Sequence, residues 1–333
     1  MSSTTTVTFK RRPVGRPVTD DFNIVRGPLP EPAAGEVLVA SRYVSIDPYV
    51  RTQVDPANPY GEPLALGVTI PGDIAGEVVA SRNDDWPAGS FVIGRLGWRS
   101  HALSDGANLR AIDPGLGPLP LHLGVFSSSG LTGYFGMLEI GRPAAGDIVL
   151  VSGAAGAVGS IASQLARIKG ARVIGIAGGP AKCAHLTGEF GLDEAIDHRA
   201  TDDLGATLHG LCPDGIDVYF DNVGGPMTHE VMRHLARHAR VVVCGESSQY
   251  DAVGEEYRPA ILGPLMDTRS TMIGLLVSDF SERYDEARAD LARLVKSGEL
   301  KHRQDIVKGL ENAPAAFIGM LAGNNIGKRM VEV

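Results

Sequence analysis

The chain has 333 residues, 44% of them hydrophobic and 21% charged, with a formal net charge of −8. That length suffices for two domains with separate cores, and the composition is that of an ordinary globular protein. The acidic balance with no basic block argues against nucleic acid as a partner, no apolar run is long enough to cross a bilayer, and the scattered Cys183, Cys212 and Cys244 build neither a disulfide framework nor a paired-cysteine zinc motif.

In chain order, the polar start Met1-Ser-Ser-Thr-Thr-Thr6 lacks the apolar core of a signal peptide, which predicts a cytoplasmic location. Short strands over Glu36–Ser45 and Ala75–Ala80, separated by proline and glycine clusters, predict an antiparallel, loop-rich, partly barrel-like domain. Ser127-Ser-Ser129 reads as a helix N-cap run ahead of a helix over Leu131–Gly141. Strands are then expected at Ile148–Ser152, Arg172–Ala177, Glu194–Asp197, Gly215–Asp221, Arg240–Cys244 and Ser270–Leu276. Helices fall between them, over Val158–Gly170, Ala181–Gly191, a stretch around Thr201–Leu211, and Pro226–His238. This alternation implies an α/β fold with a doubly wound parallel sheet. An amphipathic helix over Tyr284–Ser297 precedes Gly298 and a closing segment to Val333.

The most informative run is Val149-Leu-Val-Ser-Gly-Ala-Ala-Gly-Ala-Val-Gly159, a strand that enters a glycine-rich turn and then a helix. Such a turn lets backbone N–H groups and a helix N-terminus approach a pyrophosphate. Gly156 and Gly159 fit the second and third glycines of G-x-G-x-x-G, for close pyrophosphate approach and close helix packing, while Ala154 holds the first position. Ile161, Leu165 and Ile168 form the buried face of the helix, and Gly170 caps it. The second strand ends Ile176-Ala-Gly-Gly-Pro180 without the Asp or Glu that binds the ribose hydroxyls of NAD. Lys182 and the Asp197-His198-Arg199 segment add cations nearby, so NADP(H) is favoured. The turns at Tyr219–Gly225 and Cys244–Tyr250 put small polar residues on the same edge, with Gly224-Gly225 letting the backbone pass close to a nicotinamide ribose.

No metal is expected. A zinc alcohol dehydrogenase of this two-domain layout needs cysteine and histidine ligands at its cleft. By position its Gly-His-Glu segment falls on Gly72-Asp73-Ile74, and its catalytic cysteine falls on Val44. His229-Glu230 lacks a second histidine at Arg233, so it is not an HExxH site. His234 and His238 are expected on the solvent face near a helix C-terminus, and Cys244 as a small apolar residue of a buried strand. A metal-free NADPH site suits hydride addition to the β-carbon of an enone or enal, with hydrogen-bond donors at the carbonyl oxygen. Tyr49 and Tyr250 are the candidate donors, because a phenol donates without titrating near neutral pH.

Tyr43–Arg51, Gly130–Gly136, Ser152–Ser160, Asp217–Gly225, Cys244–Tyr250, Leu310–Met320 and Asn324–Lys328 together resemble the zinc-independent medium-chain dehydrogenase/reductases. Within them the chain is similar to the group of prostaglandin reductases, alkenal double-bond reductases and bacterial curcumin reductases. The resemblance implies a GroES-like, mostly β catalytic domain over residues 1–128, completed by 300–333, and a Rossmann NADP(H)-binding domain over 129–299. It implies reduction of α,β-unsaturated carbonyl compounds and homodimers paired through an edge strand at Ser270–Leu276. Carried over by position, it puts the pyrophosphate on Ala155, Gly156, Ala157 and Val158, ahead of Gly159, and the 2′-phosphate near Lys182. It also places Asn222, Gly245–Tyr250, Leu275–Val277 (thus Leu275 and Val277) and Asn325 along the cofactor. His198 replaces a tyrosine common in the family and offers the 2′-phosphate a pH-dependent contact. Gly72-Asp73 and Ile261–Met266 depart from the family around the substrate, the latter lacking a loop tyrosine. Two other readings stay open: an NADPH quinone reductase and a non-catalytic NADPH-binding structural or sensor protein.

Overall fold

The computed structural model describes residues 3–56, 61–252 and 257–333. Met1 and Ser2 of the polar start lie outside them, and every candidate site residue lies within. The chain forms two compact units, residues 1–124 with 304–333, and residues 125–303. The boundaries thus fall at 124/125 and 303/304, where the resemblance implies 128/129 and 299/300.

Unit one begins with β1 (Ser3–Phe9) paired antiparallel to β2 (Phe22–Pro28). Then come β3 (Val37–Ser45), α1 (Tyr49–Gln53), β4 (Ile74–Ser81), β5 (Phe91–Gly94), β6 (His101–Ser104), β7 (Leu109–Ala111) and α2 (Leu119–Leu123). Unit two holds α3 (Ser128–Phe135), β8 (Ile148–Ser152), α4 (Ala157–Ile168), β9 (Arg172–Ala177), α5 (Pro180–Gly188) and β10 (Glu194–Asp197). It continues with α6 (Leu204–Leu211), β11 (Ile216–Asp221), α7 (Gly225–Val231), β12 (Leu235–Val243), α8 (Leu262–Thr268), β13 (Thr271–Gly274) and α9 (Tyr284–Ser297). The chain then returns to unit one as β14 (Gln304–Lys308), α10 (Ala313–Leu321) and β15 (Lys328–Glu332).

The sheet of unit one runs β14-β15-β3-β4-β5-β7, with β6 also on β3. Val39, Val44 and Ile74 of the sheet share one core with Trp98, from the β5–β6 connection, and Phe317 of α10. Burial on both sides of β3 at its start explains the apolar run Val37-Leu-Val-Ala40.

In unit two the sheet order is β10-β9-β8-β11-β12-β13, and every neighbouring pair is parallel. β8 reads Ile-Val-Leu-Val-Ser with its last four residues buried, as a central parallel strand covered on both faces should. The strand order reverses between β8 and β11. Ligands of doubly wound sheets bind at the C-terminal strand ends beside such a switch point. The Ser127 hydroxyl accepts from Ser129 N–H and caps α3, which passes into one π-helical turn over Gly136–Gly141.

One expected helix is shorter than the sequence suggested. Pro226–His238 splits into α7, a 3-10 turn over Met232–His234, and the start of β12. Leu235 pairs with Ile216, and His238 has a left-handed backbone, φ 66°, where the ladder slips register. His234 and His238 therefore share no helical face; His234 instead meets Glu230 at 3.1 Å.

Candidate active site

At the end of β8 the chain turns through Gly153, whose φ is +61°. The sharp left-handed step that the first glycine of the motif usually supplies is taken here one residue earlier, so Ala154 fits without strain. Gly159 is needed for packing: a Cβ there would lie 2.4 Å from the Gly153 carbonyl oxygen and 2.8 Å from Ala154 Cα. Gly156 is the N-cap of α4, in an extended conformation, with no side chain capping the helix and no acid in its first turn. The N–H groups of Ala157, Val158 and Gly159 at the positive end of the helix dipole are thus left to an outside anion, and a pyrophosphate fits that end.

The ends of β9 and β10 form a second anion-seeking place. A Cβ on Gly178 would lie 2.8 Å from Arg199 Nε and 2.9 Å from His198 Nε2, so both side chains stand over this glycine. Asp197 is an acid beside them. Its Oδ1 accepts from Gly179 N–H at 2.8 Å and Arg199 N–H at 3.0 Å, and these bonds hold its pKa below the ordinary value. Partial burial lowers the His198 pKa, and the Arg199 and Lys182 charges lower it further. Lys182, in the first turn of α5, therefore lies within electrostatic reach of His198. Two or three cations around a glycine suit a phosphate ester.

At the ends of β11 and β12, Asn222 is held on both sides of Ser152. Its N–H donates to the Ser152 hydroxyl at 2.9 Å and its side-chain amide to the Ser152 carbonyl at 2.7 Å. The Tyr250 hydroxyl lies 3.3 Å from the Cβ position of Gly245, and the Asn222 carbonyl lies 3.7 Å from that same point. Asn222, Gly245 and Tyr250 are thus brought together. Leu275 continues from β13, donating its N–H to Val243 at 2.9 Å, and its side chain packs on Gly136; Val277 opens the 3-10 turn that follows. The Ile261–Met266 stretch, where a family tyrosine is missing, opens helix α8.

The remaining candidates belong to unit one. Tyr49 is the first residue of α1, with the Arg95 guanidinium 5.3 Å from its ring centroid. Burial raises the pKa of its phenol far above the ordinary value, and the Asp47 and Asp73 carboxylates reinforce this. It is a permanent donor at any physiological pH. Asp47 accepts from the Ser45 hydroxyl and from the buried Lys328 ammonium of β15. Burial and Asp47 raise the Asp73 pKa against the pull of Lys328, Arg95 and Arg110. Val44 is fully buried. The Asn325 amide donates to Gly327 O at 2.8 Å within its own loop. Among the described residues no group of three or more His, Cys, Asp or Glu is placed to hold a metal ion. The pairing of Asp47 with Lys328, 281 positions apart, had no signal in the sequence beyond the presence of both residues in quoted segments.

Residues 5–112 match the family described as the N-terminal domain of oxidoreductase, and residues 157–293 the family described as zinc-binding dehydrogenase. YfmJ of Bacillus subtilis, provisionally named an NADP-dependent oxidoreductase, is 45% identical over 98% of this chain and 97% of its own. The NADPH-dependent curcumin reductase of Escherichia coli is 36% identical, covering 97% and 94%. The crystal structure of CurA from Vibrio vulnificus in complex with NADPH superposes with a TM-score of 0.93 at 38% identity, covering 99% of both chains.

Proposed function

The chain belongs to the zinc-independent medium-chain dehydrogenase/reductase family, and we propose on that premise that it is an NADPH-dependent reductase of the C=C bond of α,β-unsaturated ketones and aldehydes. The observation that carries this reading is the cluster at the strand ends of unit two. There the Gly153 turn, Asn222 and the Tyr250 hydroxyl adjoin, in a chain akin over almost its whole length to a curcumin reductase.

Bound NADPH supplies the hydride that goes to the β-carbon of the acceptor. The Ala155–Gly159 turn would hold the pyrophosphate through the N–H groups of Ala157, Val158 and Gly159, and Lys182 and His198 would hold the 2′-phosphate. Asn222, Gly245, Tyr250, Leu275 and Val277 of unit two line the dinucleotide. The negative charge that grows on the substrate carbonyl oxygen calls for hydrogen-bond donors, and the phenols of Tyr250 in unit two and Tyr49 in unit one are each a candidate. Unit one accordingly serves as the GroES-like catalytic domain and unit two as the cofactor domain. No helix of the described residues is long and apolar enough to cross a membrane; a cytoplasmic location is part of this proposal. So is a homodimer formed through β13, an edge strand that leaves Ile273 44% exposed and Leu276, just beyond it, 55% exposed.

NADPH consumption measured against a panel of 2-alkenals, enones and quinones tests the reading. Turnover of enones or enals is expected. Activity confined to quinones would establish the quinone reductase alternative, and tight NADPH binding with neither activity the sensor alternative.

A further inference from the structure

Asp221 ends β11 and is only 2% exposed. Its Oδ1 accepts from the Ser152 hydroxyl at 2.9 Å, the Tyr219 hydroxyl at 2.8 Å, and the N–H groups of Val223 and Gly224 at 3.0 Å each. Its Oδ2 accepts from the Thr228 hydroxyl of α7. Its main-chain carbonyl accepts from Cys244 N–H at 2.8 Å and Gly245 N–H at 3.2 Å. One residue thus ties the ends of β8, β11 and β12 to α7. Burying a carboxylate is costly unless donors surround it, and an apolar side chain would fill the same space more cheaply. What the carboxylate adds over packing is direction, since each donor is held at a fixed orientation.

That direction reaches the candidate site. The Ser152 hydroxyl gives its proton to Asp221 and so presents a lone pair to Asn222 N–H. The bonds to Val223 and Gly224 shape a turn in which Gly224 and Gly225 both have positive φ, +68° and +65°. On this turn rests the loop that carries Tyr250, through Ser247 N–H to Asn222 O at 3.3 Å and Ser248 N–H to Val223 O at 3.0 Å.

We propose that Asp221 is a positioning residue for the reactive end of the site: it sets Asn222 and the Tyr250 loop where the nicotinamide half of the cofactor binds. The proposal rests on the NADPH reading above. The adenosine half, held at the β9 and β10 ends, lies outside its reach.

The test compares Asp221→Ala and Asp221→Asn with the wild-type protein, titrated with NADPH and with 2′,5′-ADP, and followed by single-turnover hydride transfer to an enone. In Asp221→Ala the NADPH Kd is expected to rise about tenfold or more and hydride transfer to slow, while 2′,5′-ADP binds within about twofold of wild type. Asparagine should restore most of the loss, because its oxygen can keep the four Oδ1 bonds while its amide faces Thr228, whose hydroxyl can accept. NADPH binding and hydride transfer unchanged in Asp221→Ala would overturn the proposal. So would parallel weakening of both ligands, the mark of a general loosening. If Asp221→Ala does not fold, two milder variants decide. Ser152→Ala, which removes the hydroxyl linking Asp221 to Asn222 N–H, should reproduce the selective loss, and Tyr219→Phe, which removes a donor with no link to Asn222, should not. Equal behaviour of the two refutes the positioning role. A wild-type protein that binds neither ligand refutes the cofactor reading itself, a result distinct from all of these.

Discussion

Gly178→Ala isolates the 2′-phosphate site from the rest of the molecule. The backbone at Gly178 is not in the left-handed region, so alanine brings no conformational strain. The added methyl would instead stand 2.8 Å from Arg199 Nε and 2.9 Å from His198 Nε2, too close for either to stay. Both contacts are ends of flexible side chains, so the protein folds and the two groups swing away from the β9 turn. Losing one charge-assisted hydrogen bond to phosphate costs about 1.5–3 kcal/mol, roughly ten- to a hundredfold in affinity. NADH has no 2′-phosphate and loses nothing. The assay is steady-state KM for NADPH and for NADH with one enone acceptor. The account predicts a large rise in KM for NADPH alone, narrowing or reversing the cofactor preference. Equal rises for both cofactors, or no change for NADPH, would refute the placement of the phosphate.

Three further outcomes follow from the geometry. Tyr250→Phe and Tyr49→Phe should each lower kcat by about ten- to a thousandfold, with the NADPH Kd of Tyr49→Phe measured by fluorescence titration at the wild-type value, and a variant with undiminished kcat removes that residue from the donor role. His198 has a depressed pKa in the cofactor-free protein, and a phosphate dianion beside it would raise that pKa. The complex then binds more protons than the free protein, so NADPH affinity should rise as pH falls from about 8.5 to about 6.5, with the slope lost in His198→Gln and absent for NADH; a flat NADPH profile in the wild type contradicts the contact. Lys328→Met leaves the half-buried Asp47 carboxylate beside Ser45 without its ammonium partner, which should cost stability, up to about 3 kcal/mol, visible as a lowered thermal midpoint; an unchanged midpoint would mean the pair contributes nothing.

Much of unit two was readable because its signals are local. The strand–turn–helix at Ser152–Gly159 carries its own glycines, and β8, β9 and β10 lie where apolar runs and turn residues put them. The start of β12 was not readable: Leu235–His238 continues a helical pattern, and only pairing with Ile216 on a neighbouring strand turns it into an extended chain. Likewise α8 contains Gly263-Pro264, which read as a loop but sits at a helix start, where proline is tolerated. The site divides the same way. The glycine turn and Lys182 follow from chain-local pattern. The Asp47–Lys328 pair and the Ser152 bond to Asp221 depend on residues brought together across 281 and 69 positions, and no spacing rule announces them.

The central claim is hydride delivery to the β-carbon of a conjugated carbonyl, and isotope tracing tests it most directly. The wild-type protein is incubated with NADPH deuterated at the transferring position of nicotinamide C4 and with a 2-alkenal, and the product is analysed by NMR. Each face of C4 is labelled in turn. The account predicts a saturated aldehyde with deuterium on the β-carbon. Deuterium on the carbonyl carbon of an allylic alcohol, or no labelled product while quinones consume NADPH, would contradict it.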